Sequence, residues 1–251
     1  MSEHFKPIPV AAPVVSPLKF FVRCVVDLQL ATIVKALRPT IAALPPGRVI
    51  DVGAGQSPWR EWLPTGSTYT GLDIAVADQF GMTAKDDIIF YDGGAFPFPP
   101  GCFDTALCIE VLEHAQNPEY LLREIARTLR AGGTLILSVP WSARRHHIPF
   151  DFHRFTRERL AALLSEAGFD QVEIQERGDD IAVIANKLLV VTMRLAKAVS
   201  LRNFFLSIPL ALIFGGLSFL MLVLAHISMA LDLGSREDPL GYFCIARKAP
   251  I

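Results

Sequence analysis

The stretch VIDVGAGQSP, residues Val49–Pro58, largely decides the fold of this chain. A short apolar run leads directly into a loop that carries Gly53 and Gly55, a pattern typical of a strand that turns sharply beside a ligand. Glycine lets the backbone approach a ligand closely where a side chain would block it. Because such a loop is weak evidence alone, its meaning depends on the sequence that follows.

Short apolar runs alternate with helical patterns on either side of this loop. The runs predict strands over Arg48–Gly53, Tyr69–Ile74, Asp87–Asp92, Phe103–Glu110, Gly133–Pro140 and Gln171–Glu176. Apolar spacing and capping residues predict helices over Pro17–Arg38, Asn117–Gly133 and Thr156–Phe169. The alternation favours an α/β fold, in which helices cover a parallel sheet.

Acidic residues lie at or near the ends of the first three predicted strands. They are Asp51, Asp73 and Asp92. Asp73 follows the glycine loop by about 20 residues, the distance at which a carboxylate can accept hydrogen bonds from ribose hydroxyls. The alternative is that acids at strand ends merely cap turns. Three at one edge of a sheet favour a nucleotide-binding crevice.

The order of these motifs resembles that of the class I S-adenosylmethionine-dependent methyltransferases. The most specific parts are FPFPPGCFDTALCIEVLEH at 96–114 and LRAGGTLILSVP at 129–140, and the similarity covers about Val49–Phe169. The resemblance implies a three-layer Rossmann-like fold with a seven-stranded, mostly parallel sheet. Its antiparallel last strand would be Gly241–Lys248, inserted between strands five and six. One departure is Ser57, where many members carry a third glycine.

The resemblance also implies S-adenosylmethionine as the cofactor. Asp51 would face its amino end, Asp73 would hold the ribose, Asp92 and Gly93 would border the adenine, and Ile109–Glu110 would line the site near the sulfonium. The expected cofactor contacts are Asp51, Gly53, Ala54, Gly55, Asp73, Ile74, Asp92, Gly93, Ile109 and Glu110. An NAD-dependent oxidoreductase is the alternative, although GAGQSP lacks the later glycine of the dinucleotide fingerprint.

The loop after the fifth predicted strand, WSARRHHIPFDFHRFT, carries the candidate catalytic residues. His146 and His147 are candidate general bases, and neighbouring arginines could contact an anionic substrate. A structural interpretation is stronger for Asp151 and Arg154, whose ion pair would hold the loop in place. His114 is expected to bond at the start of another loop. The sequence predicts no metal site.

Composition narrows the classes of function and location. A formal net charge of -1 gives no reason to expect nucleic acid as a partner. The four cysteines show no paired spacing, which argues against a zinc site or a disulfide framework and fits a reducing cytoplasm. The hydrophobic fraction of 51% is high for a soluble domain, and much of the excess lies between Ile181 and Leu231.

The run Asn203–Leu231 contains no Asp, Glu, Lys or Arg. It lies between two strands of one predicted sheet, so a single membrane crossing would place the last strand on the wrong side. The run is long enough for one crossing and too short for two. It therefore predicts a re-entrant hairpin, bent at Pro209 and hinged at Gly215–Gly216. The basic amphipathic flank Ile181–Arg202 favours monotopic attachment to the anionic cytoplasmic leaflet.

These inferences divide the chain into three parts. Residues 1–16 are a flexible lead-in, residues 17–180 and 240–251 form a methyltransferase domain with a helical cap at 17–44, and residues 181–239 are an apolar helical insertion. The predicted function is a membrane-associated methyltransferase for a lipid-borne or lipid-linked acceptor, with O-methylation favoured. The expected partners are a membrane lipid surface, through residues 181–231, and the acceptor; a homo-oligomer is compatible with the sequence.

Two alternatives stay open. The enzyme could methylate a small soluble acceptor and use the insertion as an anchor or a dimer interface. It could also be a membrane scaffold without activity that keeps the fold.

Overall fold

The computed structural model describes residues 13–56, 58–74, 88–197 and 201–250, without the side chains of residues 201–204. The strands are β1 (Arg48–Val52), β2 (Thr68–Ile74), β3 (Ile88–Tyr91), β4 (Phe103–Ile109), β5 (Leu129–Pro140), β6 (Phe169–Arg177) and β7 (Gly241–Lys248). The helices are α1 (Pro17–Val26), α2 (Leu28–Ala42), α3 (Pro118–Thr128), α4 (Arg157–Glu166), α5 (Asp180–Ala196) and α6 (Leu201–Leu231). Ser57 and most of the predicted lead-in lie outside the described residues.

The seven strands form one sheet in the order β3-β2-β1-β4-β5-β7-β6. The strands from β3 to β5 pair in parallel, and β7 pairs antiparallel with both β5 and β6. The fold class and the position of the last strand are therefore confirmed. Leu72, Leu107 and Leu135 are fully buried on the central strands, as expected for a sheet covered on both faces. The parallel strands bring the predicted strand-end acids to one edge.

Two helix boundaries differ from the prediction. The N-terminal helix is divided at Asp27, whose backbone is extended and whose side chain accepts a hydrogen bond from the Leu30 backbone N–H at the start of α2. Arg23 pairs with the same carboxylate at 3.0 Å. Helix α3 ends at Thr128, before the predicted glycine stop, because β5 already begins at Leu129.

Helices α5 and α6 follow β6 and lead into β7. The prediction of a hinge at Gly215–Gly216 is wrong, because α6 is one continuous helix of 31 residues with Pro209 inside it. A Cβ atom on Gly215 would lie 3.7 Å from the Thr192 side chain of α5, so this glycine is a packing position. The hairpin is instead formed by α5 and α6 themselves, and the Thr192 and Ser218 hydroxyls hydrogen-bond across it at 2.9 Å.

Much of α6 is exposed. Phe205–Leu231 has a mean hydropathy of 2.4 and is long and apolar enough to cross a membrane, yet only 17% of its most apolar window is buried. Side chains such as Leu212 and Phe219 are more than two-thirds exposed. The core helix of a soluble protein would bury most of such a segment, so this surface needs a further explanation.

Candidate active site

A cavity of about 990 Å³ opens at the carboxyl edge of the parallel strands. This edge is where open α/β sheets bind their ligands. Every expected cofactor contact except Asp51 lines the cavity: Gly53, Ala54, Gly55, Asp73, Ile74, Asp92, Gly93, Ile109 and Glu110. His146 and His147 line the same cavity. The structure thus brings most of the predicted site residues together, and their role in binding stays a prediction.

The loop after β1 depends on its glycines. Gly53 has a φ of 70°, in the left-handed region, and its backbone N–H donates to the Leu72 carbonyl at 2.8 Å. A Cβ atom there would collide with the side chain of Val111. Gly55 has a φ of 51° and donates its N–H to Asp73 Oδ2 at 2.9 Å. The loop is therefore fixed by backbone contacts to β2 and has no room for larger residues at Gly53.

Asp73 is the predicted ribose ligand, and each of its carboxylate oxygens already accepts one backbone hydrogen bond. Gly55 donates to Oδ2 at 2.9 Å and Ile74 donates to Oδ1 at 2.8 Å. Burial raises the pKa of Asp73, and these two hydrogen bonds oppose the shift. A carboxylate offers about four acceptor positions, so two remain for hydroxyl donors from the cavity. Asp92 accepts one hydrogen bond, from the Gly94 N–H at 2.9 Å.

Asp51 is placed differently from the expectation. Its side chain is buried and accepts a hydrogen bond from the Tyr69 hydroxyl at 2.8 Å, and it does not line the cavity. Burial raises the pKa of Asp51 to about 7, although the hydrogen bond from Tyr69 lowers it. Contact with the amino end of a cofactor stays a prediction that this geometry does not support.

Glu110 is held by a buried arginine that sequence reasoning missed. Arg177 Nη2 donates to Glu110 Oε1 at 2.8 Å, and Ser138 donates to the same oxygen at 2.7 Å. Arg177 also donates to the Thr32 hydroxyl and to the Tyr242 and Val139 carbonyls, so it joins α2, β4, β5 and β7. Its position at the end of β6 gave no signal, because its partners lie far away in the sequence.

The loop at residues 141–156 is anchored as the structural interpretation predicted. Arg154 pairs with Asp151 through both carboxylate oxygens, at 2.7 and 2.9 Å, and Asp151 also accepts the backbone N–H of His146. Burial would raise the pKa of Asp151, but these hydrogen bonds lower it overall. Phe155 is buried, and the Thr156 hydroxyl caps α4. This anchoring fixes the two candidate histidines over the cavity.

Three histidine rings meet at the cavity wall. The ring centroid of His114 lies 4.8 Å from that of His146 and 5.1 Å from that of His147. The centroids of His146 and His147 lie 5.3 Å apart. Burial lowers the pKa of His114 to about 4, helped by the neighbouring His146. Burial also lowers the pKa of His147 to about 4, helped by His114. His114 bonds the Phe150 carbonyl at 2.7 Å, which agrees with its expected structural role.

Glu113 lies behind these rings and was also missed. Its side chain is fully buried, and among the described residues neither carboxylate oxygen has a hydrogen-bond partner. Burial, with the nearby Glu110 charge, raises the pKa of Glu113 well above its usual range. The only sequence signal was an acid within the run that follows β4, where a surface position would have been the ordinary assumption.

Comparison with known proteins agrees with this geometry. The profile of a methyltransferase-domain family matches residues 26–174. A ubiquinone biosynthesis O-methyltransferase from Xanthomonas campestris is 33% identical over 105 residues, which cover 38% of this chain and 44% of that protein. A demethylmenaquinone methyltransferase from Tropheryma whipplei is 32% identical over 125 residues, which cover 47% of this chain and 52% of that protein. The chain thus matches about half the length of these relatives.

A solved structure of similar extent supports the fold. The crystal structure of a S-adenosylmethionine-dependent methyltransferase from Thermotoga maritima, described as a possible histamine N-methyltransferase, aligns with a TM-score of 0.54 at 14% identity. The alignment covers 94% of this chain and 96% of that chain.

Fold and crevice thus define a nucleotide-cofactor protein of the doubly wound class. This chain belongs to the methyltransferase-domain family, the class I S-adenosylmethionine-dependent methyltransferases. The residues present fit that cofactor, because the Gly53 position leaves no space for a Cβ atom beside Val111 and Asp73 keeps acceptor positions open toward the cavity.

Proposed function

We propose that the protein transfers the methyl group of S-adenosylmethionine to a lipid-borne or lipid-linked hydroxyl acceptor at the cytoplasmic surface of a membrane. The observation that carries this proposal is that the expected cofactor-binding residues and apolar residues of α5 line one cavity. The glycine loop and Asp73 line it, and so do Val190 and Met193 of α5, the helix that packs against the exposed apolar helix α6.

The exposed apolar surface extends beyond α6. Helix α1 leaves Leu18 73% exposed and Phe21 65% exposed. His226 of α6 bonds the Val25 carbonyl at 2.8 Å, so the two helices are neighbours. Monomeric soluble proteins rarely expose contiguous apolar patches of this kind. A membrane surface would cover both helices at once, and it would lie beside the cavity that α1 and α5 help to line through Arg23 and Met193.

Topology supports monotopic attachment. The α5–α6 hairpin starts at β6 and ends at β7, and these strands pair with each other in the sheet. Both ends of the hairpin therefore stay on the same side of the membrane. Lys187 of α5 and Lys197, directly after that helix, line the cavity, and basic residues beside an apolar helix favour an anionic leaflet.

The names of the relatives and the apolar part of the cavity lining support this acceptor class. Both similar curated enzymes carry quinone names, one of them as an O-methyltransferase, and quinone precursors with polyisoprenoid tails are membrane-borne phenols. When bound, S-adenosylmethionine supplies a methyl group already activated by its sulfonium. The chain itself contributes position, exclusion of water and control of the acceptor's proton. His147, which lines the cavity, is a candidate acceptor of that proton.

The first experiment identifies the acceptor. Lipid and soluble extracts of a bacterium are incubated with the full chain and cofactor labelled with ¹³C in the methyl group, and products are found by mass spectrometry. We expect label in apolar, chloroform-soluble phenols. Label confined to water-soluble compounds would refute the lipid acceptor and favour a small soluble one.

The second experiment tests the membrane surface. The triple variant Leu212→Asp, Ile213→Asp, Phe219→Asp removes three side chains that are about 70% exposed. Each buried apolar side chain contributes about 1.5 kcal/mol or more, so the loss of three should weaken binding to anionic vesicles at least about 1,000-fold. Ile89→Asp, an exposed site on the edge strand β3, is the matched control and should bind like the wild type. Equal binding by the triple variant would contradict the proposal.

A further inference from the structure

We propose that His114, His146 and His147, with Glu113, bind one divalent transition-metal ion, preferably Zn²⁺. The site lies in the wall of the cavity that contains the glycine loop and Asp73. The binding site itself does not depend on the proposed function; only its role toward a hydroxyl acceptor does.

The geometry brings the ligand atoms together. One nitrogen from each of the three histidines lies within 4.8 Å of the others. Zinc–nitrogen bonds of about 2.0–2.1 Å in a tetrahedral site place ligand atoms about 3.3 Å apart. Metal binding therefore requires ring rotations that bring these nitrogens closer by up to about 1.5 Å. Histidine nitrogen is a ligand for zinc, copper, iron and nickel rather than for magnesium or calcium.

The orientation of the rings matches that of metal ligands. His114 Nδ1 bonds the Phe150 carbonyl at 2.7 Å, and His146 Nδ1 bonds the Arg144 carbonyl at 3.1 Å. A carbonyl can only accept, so both Nδ1 atoms carry the proton and both Nε2 atoms present a lone pair. Metal-binding histidines usually have their other ring nitrogen fixed in this way by a carbonyl or carboxylate.

Glu113 supplies the independent observation. Both of these Nε2 atoms approach the same carboxylate oxygen, Glu113 Oε1, at 3.6 Å for His114 and 3.9 Å for His146. That carboxylate is fully buried and has no hydrogen-bond partner in the described part of the chain. Buried polar groups without partners are rare and costly. A cation bound between the carboxylate and the imidazoles would provide the missing partner.

The other charged groups near the cluster are accounted for. The Arg154 charge is paired with Asp151 through two hydrogen bonds, and the Glu110 carboxylate is paired with Arg177. His147 has a backbone φ of 50°, so the chain holds this ring in the cluster with an uncommon backbone conformation.

A metal ion at this position would give the site a role toward a hydroxyl acceptor. With the three histidines as ligands and Glu113 as the adjacent balancing charge, tetrahedral zinc retains its fourth position for one further oxygen. Binding a hydroxyl oxygen there would lower the pKa of that hydroxyl. Its proton would pass to solvent, and the remaining oxygen lone pair would be the nucleophile. The same histidines then act as ligands rather than as the general base expected from the sequence.

The test measures metal binding directly. The full chain is purified without a polyhistidine tag, dialysed against chelator, and titrated with Zn²⁺; Co²⁺ loading is followed by visible absorption. We expect one equivalent of zinc and cobalt ligand-field bands. Replacing a ligand in His146→Ala or Glu113→Gln should weaken zinc binding by at least about tenfold. His153→Ala changes a histidine of the same loop outside the cluster and should bind zinc like the wild type.

The outcomes are distinct. Zinc binding below one-tenth of an equivalent at micromolar metal would overturn the site, as would equal affinity in His146→Ala and the wild type. Calorimetry with S-adenosylmethionine on the same samples reports folding of the cofactor crevice in every variant. A protein that binds cofactor but no zinc refutes the metal site alone. One that binds both but methylates no lipid refutes the proposed function alone.

Discussion

Asp73 offers the sharpest test of the cofactor crevice. Asp73→Asn keeps the size of the side chain and removes its charge. Two acceptor positions of the carboxylate are free for the ribose, because one position on each oxygen is taken by a backbone N–H at 2.9 and 2.8 Å. The amide group of asparagine would place an NH₂ against one of those two N–H donors, so the loop contact at Gly55 or the one at Ile74 would be lost as well.

The magnitude follows from these bonds. Hydrogen bonds to a charged group contribute about 1.5–3 kcal/mol each, so the loss of one or two corresponds to about 1.5–6 kcal/mol. At 1.4 kcal/mol for each tenfold change, the affinity for S-adenosylmethionine should fall by a factor of about 10 to 10⁴. The loss of affinity in Asp73→Ala should lie toward the upper end of this range, because alanine offers no side-chain acceptor.

Isothermal titration calorimetry with S-adenosylmethionine and its demethylated product measures this effect. Asp92→Asn is the control, since its carboxylate is more exposed and, among the described residues, accepts a hydrogen bond only from the Gly94 N–H. Its loss of affinity should be smaller. Thermal unfolding by circular dichroism checks that each variant is folded. A folded Asp73→Asn protein that binds the cofactor within threefold of the wild type would refute the assignment of this residue to the ribose.

Two further predictions concern stability. Arg177→Met leaves the Glu110 carboxylate without its buried partner and should lower the free energy of unfolding by about 3–5 kcal/mol in urea titrations; Arg236→Met, at an exposed ion pair with Asp232, should change it by less than about 1 kcal/mol. For Asp51, burial raises the folded-state pKa to about 7 from the ordinary 3.8. The contribution of Asp51 to the free energy of unfolding is therefore fully present below about pH 4. It is lost as the pH rises toward 7, by up to about 4 kcal/mol. Asp51→Asn should remove this loss, so the variant should gain more stability over the wild type at pH 8 than at pH 5.

A specific result would contradict each of these two stability predictions. Similar losses in Arg177→Met and Arg236→Met would mean that the buried contacts of Arg177 have little energetic weight. A difference between Asp51→Asn and the wild type that is the same at pH 5 and pH 8 would mean that Asp51 keeps its ordinary pKa in the folded protein.

Local sequence predicted the sheet because each strand carries its own signal. Apolar runs marked six of the strands to within about four residues, and the family resemblance supplied the seventh, Gly241–Lys248. The left-handed glycines at Gly53 and Gly55 followed from the turn that they must make. Helix ends were less certain, because the end of α3 depends on where β5 pairs with β4 rather than on a glycine in its own sequence. The glycines of α6 also misled, because the helix continues through both of them, with Gly215 facing the Thr192 side chain of α5.

The sequence by itself determined the order of strands and glycine loop, and hence that Asp73 and Asp92 reach one edge of a parallel sheet. Only the tertiary structure decided which way side chains point once they are there. In the folded chain, Asp51 accepts a hydrogen bond from Tyr69 and Arg177 pairs with Glu110. The Glu113 carboxylate lies within 4 Å of His114 and His146. Strand periodicity is a local property that neighbours in sequence reveal. The partner of a buried charge is set by packing between segments distant in the chain, and no local pattern records it.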